Sequence, residues 1–490
     1  MRLGHALRAF ADSTPDAVAL RFEGRDTTFA ELRDQVFAIA QHLRNELGIK
    51  HGDRVGYLGL NHDHMIRLVL ACAEIGAMFA PLNSRLALAE YRYLIKDAEP
   101  SVLFHDDAFA ETAAQLDLRH LQVEALDTLS PVSDFEAAGE SGDALLLVYT
   151  SGTTGKPKGV VLTQMSVWAT VENGQALYSF QSGQTVLITL PLFHVGGLCI
   201  LLLPALAHGA TIELHRRFDP SAALTSLDGG DITTTILVPA QMAAMMTLPE
   251  WPSAEFDGLK YIVVGSSVIP LEQIQAWHAR GIPVSQIYGA TETGPSAIGL
   301  RLEDCCDHEG SAGTALPLCQ IEVRDAAGKS LGTDEAGDIW VRGPNVMQGY
   351  WRQPEETDKV LVDGWYNTGD IGRRDKEGFY WIIDRSKDVI ISGGENIYPA
   401  EVEAASLEHE AIAAVAVVGR PDARWGETPV AVIETKAGQS LTEETFLAFL
   451  QERIARYKQP KSVVFMDALP RNVMGKVEKS VLRQMVREEG

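Results

Sequence analysis

Up to about Gln320 the chain alternates between segments of helical and of strand periodicity. "TTFAELRDQVFAIAQHLRNELG" opens with Thr28 and Glu31 at capping-box spacing, then repeats Leu32, Val36, Ile39, Leu43 and Leu47 on one helical face until Gly48 stops it. A strand follows. Farther along, "HMIRLVLACAEIGA" precedes "MFAPLN", and "SVLFH", "TVLITLP", "TTTILVP", "LKYIVVGSS", "PLEQIQAWHARG" and "VSQIYG" continue the alternation. Such a pattern predicts an α/β fold of parallel sheets layered with helices. The most membrane-like run, Thr185 to Ala210, is broken by Pro191, His194, Gly196, Gly197 and Pro204, and therefore predicts a buried strand, a turn and a buried helix rather than a span.

At 490 residues the chain exceeds one ordinary core and predicts several domain-sized units. Hydrophobic residues at 46% allow a large interior. The formal net charge of −24 opposes a nucleic-acid or anionic-membrane surface, so any anionic ligand has to be held by local cations and backbone amides. Five cysteines without paired metal spacing fit a reducing compartment, and the start "MRLGHALRAFADSTPDAVAL" has no signal-peptide pattern; a cytoplasmic protein without stable membrane insertion is expected.

From about Gln320 the texture changes to short strands with turn signals, "CQIEVRDAAGKSLG", "GDIWVRG" and "GFYWIIDRSKDVIISGG", a β-rich subdomain. A small α/β pattern follows: helix "PAEVEAASLEH", strands "AIAAVAVVGR" and "PVAVIETK", helix "TEETFLAFLQERIA" and a basic tail segment. The boundary is set at "DRSKD", giving domains 1–384 and 385–490 with a hinge at 384–388.

"YTSGTTGKPKGV", Tyr149 to Val160, concentrates glycines, hydroxyls and two lysines as an anion site would. It departs from the phosphate loop G-x-x-x-x-G-K-[S/T]: Thr150 stands at the first glycine and Pro157 replaces the magnesium-binding hydroxyl. Proline also withholds the N–H that a phosphate-binding helix start would offer. A mobile loop closing on a polyphosphate with Thr150, Ser151, Gly152, Thr153, Thr154 and Lys156 is one reading, and a Gly/Ser/Thr surface linker is the other.

That loop, "YGATETG" (288–294), "GWYNTGD" (364–370), "DRSKDVIISGGENIYPAEVE" from Asp384 and "PRNVMGK" ending at Lys476 occur in one order. Together they resemble the adenylate-forming (ANL) superfamily of acyl-CoA synthetases, firefly luciferases and amino-acid adenylation domains, over nearly the whole chain. The resemblance implies a large N-terminal domain binding ATP and an acid, and a small mobile α+β lid that turns between two half-reactions. A carboxylate attacks the α-phosphate of ATP, releasing pyrophosphate, and a thiol then attacks the adenylate. By the same resemblance Glu292 holds Mg2+, Thr291 touches phosphate, Lys156 closes over pyrophosphate and Lys476 bridges acyl and phosphate oxygens. Tyr288 and Gly289 with Gly265, Ser266 and Ser267 face adenine; Asp370, Ile382 and Arg385 serve the ribose side; Lys387 is the hinge. Gly393, Gly394 and Glu395 line the way for coenzyme A. Taken singly, Asp370 is a turn residue, Tyr288 a core residue and Lys476 a solvated lysine.

His194, Val195 and Gly196 in "LPLFHVGGL" are implied at the acyl-pocket wall, with Val238, Ile287, Ala290 and Pro295; an isolated histidine there also reads as an ordinary core residue. Adenylation domains for amino acids use an aspartate near "FHVGG", which has none, and the neutral wall offers a second carboxylate no arginine. Ala290 stands where many relatives carry methionine, which leaves room for a larger acid. "SGGENIYPAEVE" and "PDARWGETP" especially resemble aryl- and feruloyl-type CoA ligases, and succinylbenzoate-CoA ligases and medium-chain fatty acid ligases share much of this wording. The expectation is an AMP-forming ligase joining an aromatic or medium-chain carboxylic acid to CoA, with a carrier-loading adenylation protein, a succinylbenzoate-type ligase and a non-catalytic binding protein as alternatives. Assembly as a homodimer is left open.

Overall fold

In the computed structural model the capping box closes as its spacing predicts. The Glu31 N–H donates to Thr28 Oγ1 at 3.2 Å and the Thr28 N–H to Glu31 Oε2 at 2.8 Å, starting the helix Phe29–Asn45. Its buried stripe contains Leu32, Val36, Ile39 and Leu43, but the helix ends before Leu47 because the amides of Glu46 and Leu47 both donate to the His42 carbonyl. The structure describes residues 3–150, 157–265, 269–385, 388–392, 395–422, 425–451, 453–454, 456–472 and 475–488. The chain divides into two compact units, Met1–Ile321 with Trp340–Asn367, and Glu322–Ile339 with Thr368–Gly490.

In the first unit a nine-stranded sheet runs in the order Thr314–Ala315, Ile298–Gly299, Val284–Tyr288, Tyr261–Val264, Thr234–Leu237, Thr185–Ile188, Thr211–Leu214, Val18–Phe22, Arg25–Thr28. Every pairing from Val284–Tyr288 across to Val18–Phe22 is parallel. The short strands are buried along their length, as parallel strands covered on both faces must be. Trp277, fully buried, packs edge-on to Trp251 at 4.7 Å and against Ile262 and Val264, closing one face. The 185–210 run folds as anticipated: the strand Thr185–Ile188, a turn, and the helical segments Val195–Gly197, Leu198–Leu202 and Leu203–Ala207. Its middle segment widens to a π turn just ahead of Pro204, whose missing N–H makes α-helical pairing incomplete there.

A seven-stranded sheet in the same unit runs Gly349–Tyr350, Lys158–Thr163, Ala144–Thr150, Met78–Leu82, Arg54–Leu58, Val102–His105, His120–Gln122. Ala144–Thr150 and Lys158–Thr163 are antiparallel, with Thr150 opposite Lys158, and Gly349–Tyr350 extends that edge with Tyr350 opposite Val160.

In the second unit the strands Ile412–Asp422 and Gly426–Thr435 pair antiparallel, and Ser462–Met466 lies parallel to the latter. Val417 and Ile433 face a cluster with Val402, Phe446 and Leu450, while Val418 and Val432 face Leu482 and Val486 on the other side, so helices cover both faces. Trp365–Arg374 and Tyr380–Arg385 pair antiparallel. Among the described residues no helix is long and apolar enough to cross a membrane. All five cysteines are free thiols, and Cys306 alone among them is exposed.

One charge cluster is built around the start of the helix Asp63–Ile75. Asp63 Oδ2 accepts from Arg25 at 2.8 Å and Arg67 at 2.7 Å, while Arg67 donates to His64 Nδ1 at 2.9 Å. His62, Asp63 and His64 have donor atoms within 4.8 Å of one another, a spacing a metal ion would accept. The two guanidiniums already neutralise Asp63, so the cluster reads as packing rather than a cation site. Burial, and then the positive charge of Arg67, hold the His64 pKa well below its ordinary value. The folded state therefore favours the neutral ring: its contribution is whole above the unfolded value of about 6.5 and is lost as the pH falls from there towards the folded value. Urea unfolding between pH 7.5 and 5 should show the wild-type protein losing up to about 1.4 kcal/mol more per pH unit than His64→Gln. Equal slopes for the two proteins would remove His64 from the account.

Candidate functional site

Because neighbouring strands are parallel, their carboxyl ends lie along one edge of the large sheet, where open α/β sheets bind ligands. The chain leaves Thr185–Ile188 towards His194, Thr234–Leu237 into Val238, Tyr261–Val264 into Gly265, and Val284–Tyr288 into Gly289 and Ala290. The structure thus gathers His194, Val195, Gly196, Val238, Gly265, Ile287, Tyr288 and Ala290 at successive strand ends. Val195, Ile287 and Pro295 are buried, whereas His194, Gly196, Val238, Tyr288 and Ala290 are half-buried. Ile287 and Tyr288 alternate as strand neighbours do, the first inward and the second more open. His194 starts the helical segment Val195–Gly197, and its ring lies 4.4 Å from that of Phe193.

Two glycines are required by close approach. A Cβ on Gly265 would come within 2.8 Å of Ile287 Cγ2 and 2.9 Å of its carbonyl oxygen, and one on Gly289 within 1.8 Å of the Pro295 oxygen. Past Gly289 the chain makes a short 3₁₀ turn, Thr291–Thr293, with Gly294 in the left-handed region at φ +74°. The turn is tied down from outside. The buried Asn345 amide donates to the carbonyls of Thr293 (2.8 Å) and Ser296 (3.1 Å), and Thr170 Oγ1 donates to the Gly294 carbonyl. Thr291 and Glu292 project from a braced turn, half-buried.

Glu292 is held twice by one segment. The Met347 N–H donates to its carbonyl at 2.8 Å, and the Tyr350 hydroxyl donates to its Oε1 at 2.9 Å. Tyr350 in turn has Lys158 Nζ 4.9 Å from its ring centre, and Lys158 pairs with Glu356 at 2.6 Å. Neither Tyr350, Lys158 nor Glu356 was singled out by sequence. Lys158 was visible only as the second lysine of the glycine-rich stretch, and nothing local marks Tyr350. The stretch itself lies between antiparallel strands, not between a strand and a helix, which agrees with its departure from the phosphate-loop pattern. Thr150 is half-buried beside its partner Lys158, while Ser151, Gly152, Thr153, Thr154 and Lys156 lie outside the described residues, as do Ser266 and Ser267.

A single glutamate suits magnesium, which binds through one or two carboxylates together with substrate phosphates and water. Glu292 accepts its bond from a neutral phenol, and burial followed by the Glu292 charge pushes the Tyr350 pKa well up, so the hydroxyl remains a donor. This differs from Asp63, whose oxygen is taken by guanidiniums.

In the second unit, Asp370 is buried and stands directly opposite Arg385 in the strand register, and Ile382 is opposite Gly372. Lys476 is exposed in a tight turn: its N–H donates to Asn472 Oδ1 at 3.0 Å, and its carbonyl accepts from the Asn472 N–H at 2.8 Å. Just beyond, Lys479 pairs at 2.8 Å with the half-buried Glu403, anchoring the helix Lys479–Glu488. Lys387, Gly393 and Gly394 lie outside the described residues; Glu395 begins the short strand Glu395–Ile397.

Gly289→Ala should lower unfolding free energy by about 1–3 kcal/mol, since the obstructing atom is backbone. Gly142→Ala, which meets nothing within 4 Å, should leave it unchanged. Chemical denaturation compares them, and equal stabilities would refute the close approach at Gly289.

A family model described as "AMP-binding enzyme" matches residues 7–351, and one described as "AMP-binding enzyme C-terminal domain" matches residues 401–476. The indoleacetate–CoA ligase of Aromatoleum aromaticum is 43% identical over 506 residues, covering 99% of this chain and 98% of that enzyme. A feruloyl-CoA synthase from an Amycolatopsis species is 38% identical over 483 residues, covering 97% of each. The o-succinylbenzoate CoA synthetase of Bacillus subtilis, solved with its acyl-adenylate intermediate, superimposes with a TM-score of 0.88 at 32% identity, covering 98% of this chain and 97% of that one. The same enzyme has been solved with ATP and a magnesium ion, at a TM-score of 0.87.

Proposed function

This chain belongs to the AMP-binding enzyme family, and we propose that within it the protein is an ATP-dependent acid–CoA ligase for an aromatic or medium-chain carboxylic acid. The observation that carries the reading is the row of parallel strand ends from His194 through Val238 and Gly265 to the braced Thr291–Glu292 turn. Relatives of matching length that are named for indoleacetate and ferulate support the aromatic choice.

The carboxylate oxygen attacks the α-phosphorus of ATP, its P–O bond forms as the bond to pyrophosphate breaks, and an acyl-adenylate results. The CoA thiol then attacks the acyl carbon, losing its proton, and AMP leaves with the oxygen that came from the acid. Both reactants of the first step are anions, so the site's work is positioning and charge compensation. Glu292, with Thr291 beside it, would hold magnesium, which supplies charge neutralisation on the triphosphate. Tyr288 offers a ring face to adenine where Gly265 leaves the backbone bare. Asp370 accepts from the ribose hydroxyls, a role supported by its position across from Arg385, with Ile382 on the same strand as Arg385. Lys156 is assigned to the pyrophosphate and Lys476 to the charge that develops between acyl and phosphate oxygens. Lys387 is assigned the hinge between the half-reactions, and Gly393, Gly394 and Glu395 the pantetheine path. His194, Val195, Gly196, Val238, Ile287, Ala290 and Pro295 form the wall that receives the acyl group. A reducing, cytoplasmic setting belongs to the same reading and is supported by the five free thiols.

Pyrophosphate release with ATP and magnesium across benzoate, cinnamate-type, indole-acetic, medium-chain and dicarboxylic acids, with and without CoA, tests the reading. Release confined to one acid class and matched by its CoA thioester is expected; release with no thioester would point to a carrier protein, and no release with any acid would contradict it. Lys476→Ala should slow adenylation on the order of a hundredfold or more while leaving the reaction of a supplied acyl-adenylate with CoA. Equal loss of both half-reactions would remove the role assigned to Lys476.

A further inference from the structure

We propose that Tyr350 is the positioning residue for the Glu292 carboxylate, and that Lys158 and Glu356 fix Tyr350, tying the strand that leaves the glycine-rich stretch to the metal-binding glutamate. The proposal rests on the reading of Glu292 as the magnesium ligand.

Several contacts converge on Tyr350 and Glu292. The Tyr350 hydroxyl donates to Glu292 Oε1 at 2.9 Å, while Met347, three residues earlier, donates its N–H to the Glu292 carbonyl at 2.8 Å. One strand segment thus holds both the main chain and the side chain of a residue 58 positions away. Tyr350 cannot slide. Its backbone pairs opposite Val160, its N–H donates to Thr357 Oγ1 at 2.9 Å, and the next amide, Trp351, donates to the Gly159 carbonyl at 2.7 Å. The ring is held from the side by Lys158, itself only 12% exposed and paired at 2.6 Å with Glu356 from the helix Pro354–Val360.

The chemistry of the donor matters as much as its position. A guanidinium or ammonium donating to Glu292 would neutralise the carboxylate and repel an incoming dication, as Arg25 and Arg67 would at Asp63. A phenol fixes one oxygen without adding charge. It leaves the carboxylate its negative charge and orients it, which is how outer partners of metal ligands tune affinity. The positive charge of Lys158 is compensated where it lies, by Glu356. The arrangement also gives Lys158, the residue after Pro157, a physical link to Glu292 through the Tyr350 ring.

Tyr350→Phe keeps the ring and removes the one donor. With a non-hydrolysable ATP analogue bound, titration with Mn2+ followed by the electron paramagnetic resonance of the free ion should show affinity weakened about tenfold, and the Mg2+ needed for half-maximal pyrophosphate release should rise in parallel, with the maximal rate regained at high Mg2+. Wild-type Mn2+ affinity in folded Tyr350→Phe would overturn the proposal. Glu292→Gln separates this from failure of the underlying reading: if that variant also binds Mn2+ as the wild type does, Glu292 is not the ligand and both statements fall. Should Tyr350→Phe not fold, Glu356→Gln releases Lys158 and should weaken Mn2+ a few-fold in the same assay; unchanged affinity there would count against the tie.

Discussion

Parallel pairing forces the carboxyl ends of neighbouring strands onto one edge of a sheet, and the candidate site of this protein depends on that constraint. Residues separated by nearly a hundred positions, from His194 to Ala290, stand side by side because Thr185–Ile188, Thr234–Leu237, Tyr261–Val264 and Val284–Tyr288 run in register. The burial of these strands on both faces leaves their ends as the place where the chain can turn towards a ligand. The glycines at two of those ends, Gly265 and Gly289, let the turns pass within contact of Ile287 and Pro295.

Charge sets the second constraint. A chain with a formal charge of −24 that brings a carboxylate to the α-phosphate of ATP and then admits the thiol of CoA must collect its cations locally. Fixed partners do this without cancelling the groups that are needed: Lys158 is compensated by Glu356, and Glu292 receives a neutral hydroxyl. In the second unit Lys479 pairs with Glu403 and braces the helix that follows the Lys476 turn. The two carboxylates thus receive different donors, guanidiniums at Asp63 and a neutral phenol at Glu292, the residue proposed to bind the metal.

Local signals were legible in the sequence to the extent that their physics is local. Thr28 and Glu31 announced a helix start because a capping box needs only residues three apart, and the prolines and glycines between Thr185 and Ala210 announced a strand, a turn and helix for the same reason. The order of five motifs identified the family. Helix ends were less legible: Leu47 keeps the apolar spacing, yet the amides of Glu46 and Leu47 compete for one carbonyl and the helix stops. Packing divides the chain between Asn367 and Thr368, with Glu322–Ile339 joining the second unit, ahead of the 384–388 segment chosen for its polarity. Compactness and a hinge of rotation are different properties, and only the first follows from contacts. The bond from Tyr350 to Glu292 was illegible because no spacing rule reaches across 58 residues; it exists only once Gly349–Tyr350 has joined the edge of Lys158–Thr163.

The central claim is that the acid is activated through its own oxygen as an adenylate. Incubating the enzyme with ATP, magnesium, CoA and an accepted acid labelled with ¹⁸O in both carboxylate oxygens, and weighing the nucleotide product, tests it most directly. The account predicts AMP carrying one ¹⁸O and a thioester retaining the other. ADP together with ¹⁸O-labelled inorganic phosphate would show activation through an acyl phosphate and would contradict it.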